Sequence, residues 1–195
     1  MEQANHFPLL KDRRAHEICG TAALSFALAM AAYKSGHVLL VDSSQSPEHL
    51  HPFGVSSFID PSRLIIAYGK THKDILWITE EALRTGCVPV VITRIAKPID
   101  LTAGRRLQLA AEAGQALALC LIPEGFGSNA AETRWRCTPA PSTLPNSDST
   151  LFHWDCIKNK TGTTERWTVR WNETAHHIDL LSETPDGPLL AAQTR

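Results

Sequence analysis

The chain has 195 residues, 43% of them hydrophobic and 20% charged, with a formal net charge of −1 and a pI of about 6.7. That balance is ordinary for a globular protein, and it excludes a chain-wide pull toward nucleic acid or an anionic membrane; any basic surface has to be local. No run approaches the roughly 18 apolar residues of a membrane span, and the opening MEQANHFPLLKDRR has neither an apolar signal core nor a cleavage site, so a cytoplasmic protein is expected.

Residues 17–20 form a short strand segment ending in Gly20. Thr21–Ser35 is rich in Ala, Leu, Phe and Met and predicts a buried helix, with Gly36 as its stop. HVLLVD (37–42) is an apolar run that suits a strand buried on both faces. RLIIAY (63–68) is the next strand. HKDILWITEEALRT (72–85) then sets Ile75, Leu76, Thr79, Ala82 and Leu83 along one helical face, and Gly86 ends it. VPVVIT (88–93) reads as a strand. A helix capped by Thr102 is expected to run to about Ala113, with Gly114 closing it, and ALALCLIP (116–123) is a further strand. This alternation predicts right-handed crossovers and an α/β fold with a mostly parallel sheet flanked by helices.

After Pro123 the texture changes. TRWRC (133–137) alternates like a strand, and residues 138–149, with three prolines, read as an exposed loop. LFHWDCIK and ERWTVRW flank the turn NKTGTT and predict an antiparallel edge hairpin. Phe152, Trp154 and Cys156 share one face of the first strand, and Trp167, Val169 and Trp171 share one face of the second. From Asn172 onward periodicity fades, and the reading is a tail. The organisation expected is an extension (1–14), a domain (15–171) and a tail (172–195).

Glu17–Asp42 has the layout of a nucleotide-binding unit: strand, glycine, helix, strand ending in Asp. A phosphate loop needs several glycines to turn backbone N–H groups inward, a Lys for the outer phosphates and a hydroxyl for magnesium. Only Gly20 and Thr21 stand at that point, a vestigial nucleotide position, so no cofactor and no catalytic residue are assigned. Asp42 reads as a strand-end Asp bonding nearby loop amides. His49/His51 and His176/His177 lack further ligands nearby, so no metal is assigned. The five Cys form no CxxC pair and read as buried thiols. The local basic pattern says more. Arg134 and Arg136 share a strand face, Arg166 and Arg170 oppose a Trp face, and Lys158 and Lys160 flank the hairpin turn. Residues 134–170 hold six Lys/Arg against three Asp/Glu, a surface suited to an acidic partner or to DNA phosphate. Arg105 and Arg106 are equally open to either reading.

The order of segments resembles the RecA recombinase core with its phosphate loop cut out. More specifically, LWITEEALRTG (76–86), DLTAGRRLQLAAEAG (100–114) and AAETRWRCTPAPS (130–142) resemble ImuA-type proteins, over roughly residues 15–171. The resemblance implies a RecA-like fold with the antiparallel hairpin at one edge. It also implies a non-catalytic accessory role in SOS-induced, error-prone translesion DNA synthesis. The implied partners are an ImuB-type inactive Y-family polymerase homologue, RecA and single-stranded DNA. Lys158 and Lys160 match hairpin lysines that in RecA reach nucleotide on the neighbouring subunit, and the water-activating Glu of RecA would fall near Ser44. The short N-terminus argues against a RecA-type oligomerisation arm. The edge hairpin (151–171) and the tail (172–195) are the expected partner surface, for their Trp and Arg content. Two rival readings are a SulA-like division inhibitor on the same fold and a residual nucleotide-binding sensor.

Overall fold

A computed structural model describes residues 10–141 and 149–185. In chain order the elements are β1 (Ala15–Cys19), α1 (Ala23–Ala32), β2 (Val38–Ser43), α2 (Pro52–Ser56), a 3-10 turn (Pro61–Arg63), β3 (Leu64–Gly69), α3 (His72–Thr85), β4 (Val90–Arg94), α4 (Leu101–Ala113), β5 (Leu117–Leu121), β6 (Thr133–Pro139), β7 (Ser149–Asn159), β8 (Glu165–Asn172) and β9 (His177–Pro185). They build one nine-stranded sheet, ordered β3-β2-β4-β5-β1-β6-β7-β8-β9. Every pair from β3 to β6 is parallel, and every pair from β6 to β9 is antiparallel. The α/β expectation is met, and the antiparallel edge is larger than one hairpin.

The sheet is covered on both faces. On one side α3 and α4 bury Ile75, Leu83 and Leu107 against Leu39, Val41, Val91, Ala118 and Cys120. On the other, α1 packs on Ile18, Leu40, Ile92 and Leu119. Seven residues of α1 are buried, including Phe26 through Ala31 without a break. A helix apolar all round needs cover all round. The antiparallel strands provide it by curling back over α1. Phe26 lies edge-on to Trp154, with ring centroids 4.6 Å apart, and 5.3 Å from Trp135. The Tyr33 hydroxyl accepts a hydrogen bond from the Ile178 amide of β9 at 2.8 Å. Farther round, the Trp171 indole donates to the Ser57 carbonyl at 2.6 Å, Phe58 stacks on Trp171, and His176 Nδ1 sits 3.0 Å from the Phe58 carbonyl oxygen. The C-terminal strands thus reach the segment after β2 and close a ring about α1.

Four local expectations are corrected. Residues 177–185, assigned to a tail, form strand β9. Ile178 and Leu180 pack on the α1-side core, but Val169 opposes Leu180 and Thr168 opposes Ser182, so Leu181 is an extra, bulged residue. One inserted residue breaks the period of two, and the alternation is hidden. A second bulge skips Ile157, between Trp135↔Cys156 and Arg134↔Lys158. The cap of α4 is Asp100, whose carboxylate accepts from the Ala103 amide at 2.7 Å; Thr102 lies inside the first turn. Helix α1 ends at Ala32, short of Gly36, and Arg63 closes it by donating to the carbonyls of Ala31, Lys34 and Gly36. Helix α3 starts at a capping box of Thr71 and Asp74 and ends at Gly86, whose φ of 63° is the left-handed stop foreseen. Cys19, Cys120, Cys137 and Cys156 are buried as expected, and burial pushes the thiols of Cys120 and Cys156 up to about 12 and about 11. Cys87 is exposed, against expectation, because it follows the Gly86 stop at the surface. Of the expected loop 138–149, Thr138 and Pro139 belong to β6 and Ser149 to β7, while residues 142–148, like the extremities 1–9 and 186–195, lie outside the described residues.

Candidate functional site

In parallel sheets, ligands collect at the carboxyl ends of the strands. Here that crevice is filled by the protein itself. The first filler is at the junction of β1 and α1, the vestigial nucleotide position. Gly20 adopts φ +93°, and a Cβ built on it would lie 2.3 Å from the Cys137 carbonyl oxygen of β6. That carbonyl accepts the Ala22 amide at 3.0 Å, at the very start of α1. A helix start ordinarily offers such amides to an anion; this one is partnered by a backbone oxygen. Gly20 is therefore required by the close passage of β6. Thr21 is exposed beside it.

The second filler is Arg94, at the end of β4. Its Nη1 lies 3.2 Å from Asp42 Oδ2 and 3.3 Å from a Glu48 carboxylate oxygen. Asp42 Oδ1 also accepts the Ser43 amide at 2.7 Å, the loop-amide role read from the sequence. Below Arg94, the Thr93 hydroxyl meets that of Thr79 at 2.9 Å and ties β4 to α3. Ser44 donates its amide to the Gly69 carbonyl.

The six basic candidates fall on one side of the antiparallel sheet and divide into two groups. Arg134, Lys158 and Lys160 hold the loop between β5 and β6. Arg134 donates through Nε to Glu17 at 2.8 Å and through Nη2 to the Ser128 carbonyl at 3.2 Å. Glu17 is 3% exposed, and its other oxygen accepts the Ser128 amide at 2.7 Å. The Lys158 ammonium reaches the carbonyls of Ser128, Asn129 and Ala131, and Lys160 that of Ala130 at 2.6 Å. Desolvation, with Arg134 nearby, holds the Lys158 amine below its usual range. The bulge at Ile157 sets up this group by turning Lys158 toward Arg134. In the second group, Arg136 lies 3.7 Å from Glu124, and Arg166 makes two hydrogen bonds to Asp155 at 2.7 and 2.9 Å. Arg170 opposes Asp179 across the β8–β9 pair.

The paired histidines are apart from each other in role. His177 Nε2 is 2.6 Å from Asp179, His176 turns to Phe58, and His51 stacks on Phe53. Among the described residues no three His, Cys, Asp or Glu side chains converge, and no helix is long and apolar enough to cross a membrane. Arg94 and the Cys137 carbonyl were not singled out by the sequence. The latter has no sequence signal, because it acts through the backbone from 117 positions away.

No family model matches the chain. Protein ImuA of Caulobacter vibrioides, strain NA1000 / CB15N, is 29% identical to it, over 68% of this chain and 61% of the relative. Protein ImuA of strain ATCC 19089 / CIP 103742 / CB 15 gives the same figures. The chain spans less than two thirds of the length of these curated relatives. The chain is a distant relative of ImuA-type proteins.

Proposed function

We propose that this protein is an accessory factor of damage-inducible, error-prone DNA synthesis, and that it works by binding rather than by nucleotide turnover. The sequence relation to Protein ImuA supports the process. The observation that carries the mode of action is the occupied crevice. The Ala22 amide, which would have to face a phosphate, is bonded to the Cys137 carbonyl, and Arg94 lies across Asp42 where a metal-orienting acid would have to be free. The core is RecA-like in this reading, with its frame kept because α1 and β2 are buried whether or not a nucleotide binds. An ImuB-type inactive polymerase homologue is the principal partner, with RecA and single-stranded DNA as further ones.

Deleting the gene and scoring damage-induced mutation frequency tests the process: mutagenesis should fall and return on complementation. Unchanged mutagenesis would sink this reading. Isothermal titration with Mg-ATP tests the mode; micromolar binding would show that the crevice opens. For DNA, Arg136 and Arg170 are the substitutions to use, because Arg134 is engaged with buried Glu17.

A further inference from the structure

A cavity of about 330 Å³ lies at the turn end of the β7–β8 hairpin. Leu10, Trp135, Cys156 and Trp167 form its apolar wall, and all four belong to the core on the α1 side. The polar lining is engaged within the chain. Glu132 pairs with Lys11 and Arg14, and the Thr133 hydroxyl accepts the Trp135 indole N–H at 2.7 Å. Asn159 accepts the Thr161 amide, and the Thr163 hydroxyl donates to Glu165. Glu165 keeps its charge, so charge alone would admit any cation. The wall calls for an apolar side chain, and chain connectivity selects which one.

Leu10 is buried in this wall, so the chain passes along the cavity before it enters β1. The residues just before Leu10 read His6-Phe7-Pro8-Leu9. A proline fixes its own φ near about −65° and pushes the residue before it out of the helical region. Both effects favour a polyproline II path, with three residues per turn and a rise of about 3.1 Å per residue. On that path Phe7 faces the same side as Leu10 and lies about 9 Å from it, within reach of the wall. A segment tethered so closely acts at an effective concentration of about millimolar or more. A foreign peptide, a small ligand or a second copy has no tether and must first give up its freedom to diffuse and tumble.

We infer that residues 6–9 are a strap held in cis, with the Phe7 ring seated in this cavity against Trp135 and Trp167. The strap closes the turn end of the aromatic cluster that encloses α1. It also takes this wall out of the partner surface expected on the edge hairpin. The inference stands on the cavity and on the chain that feeds it, and goes beyond the reading of the protein as a mutagenesis factor.

The first test places photoreactive benzoylphenylalanine at position 7 of the full chain. The protein is irradiated, sized and mapped by mass spectrometry. Cross-links should fall at monomer size on residues 132–135 or 156–167. Cross-links elsewhere, or none, would overturn the proposal, and cross-links at dimer size would overturn it in favour of a second copy. The second test labels thiols in a Cys87→Ser background, where the four remaining cysteines are buried. Phe7→Ala should speed the labelling of Cys156 about tenfold or more, while Cys19, Cys120 and Cys137 stay slow and Phe7→Leu restores protection. Unchanged labelling of Cys156 would also sink the strap. The cross-linking chain keeps an aromatic ring at position 7, so it tests the placement even if Phe7→Ala fails to fold. Neither result bears on the mutation frequency of the gene deletion, so the two readings fall separately.

Discussion

Gly20→Ala separates a glycine kept for chain packing from one kept for phosphate. At φ +93° an L-residue is strained, by about 1–2 kcal/mol. The new Cβ would also lie 2.3 Å from the Cys137 carbonyl oxygen, well inside any real contact. β1 or β6 must move, and the 3.0 Å bond from Ala22 to that oxygen is stretched or lost; that is about 1 kcal/mol more for the bond and about 1–3 kcal/mol for the overlap. The sum is roughly 3–6 kcal/mol, or a fall in Tm of roughly 6–24 °C for a chain of this size. Urea and thermal unfolding followed by circular dichroism measure it. Thr21→Ala, at an exposed position next door, should change stability by less than about 0.5 kcal/mol. A Gly20→Ala protein within about 1 kcal/mol of wild type would refute the packing argument and return the glycine to nucleotide chemistry.

Arg134→Ala should destabilise by about 3 kcal/mol, because it strands a buried carboxylate at Glu17; Arg136→Ala, at a half-exposed pair, should be nearly neutral by the same denaturation assay. His16 is fully buried between the Lys11 carbonyl and the Thr133 hydroxyl, and desolvation lowers its pKa from 6.5 to about 4. The unfolded chain then binds the extra proton first. The contribution of His16 is complete above pH 6.5 and is lost as pH falls toward about 4, by at most about 3 kcal/mol. A His16→Gln variant should show a flatter loss of stability across that window than wild type. Trp171→Phe keeps the stacking on Phe58 but drops the bond to Ser57, and should cost about 1 kcal/mol in urea unfolding. Truncation after Asn172 removes β9 and uncovers α1, so it should abolish the cooperative thermal transition; truncation after Pro185 should leave that transition in place.

Much of the fold was legible because local chemistry declares it. HVLLVD and ALALCLIP are apolar on both faces, as central parallel strands must be. The Trp, Phe and Val positions of 152–156 and 167–171 alternate, as strands covering a core on one face must. Gly86 stops α3 because a left-handed residue is needed at that point in the chain. Two of the misreadings share a cause, which is that the deciding partner lies far off in sequence. β9 was hidden by a bulge at Leu181 whose need arises only from pairing with β8. The end of α1 is set by Arg63, from the other side of β2.

The candidate site divides the same way. The sequence by itself determined that no phosphate loop stands between Gly20 and Thr21, since missing glycines and a missing Lys are facts of composition. It also determined that α1 is apolar all round and must be enclosed. Only the tertiary structure decided what encloses it, the curled strands β6–β9, and why Gly20 remains, the passing Cys137 carbonyl. It likewise decided that Arg134, Lys158 and Lys160 turn inward onto the 128–131 loop. Burial and hydrogen bonding act between residues brought together by the sheet, and no local spacing in the chain encodes which carbonyl a glycine or a lysine will meet.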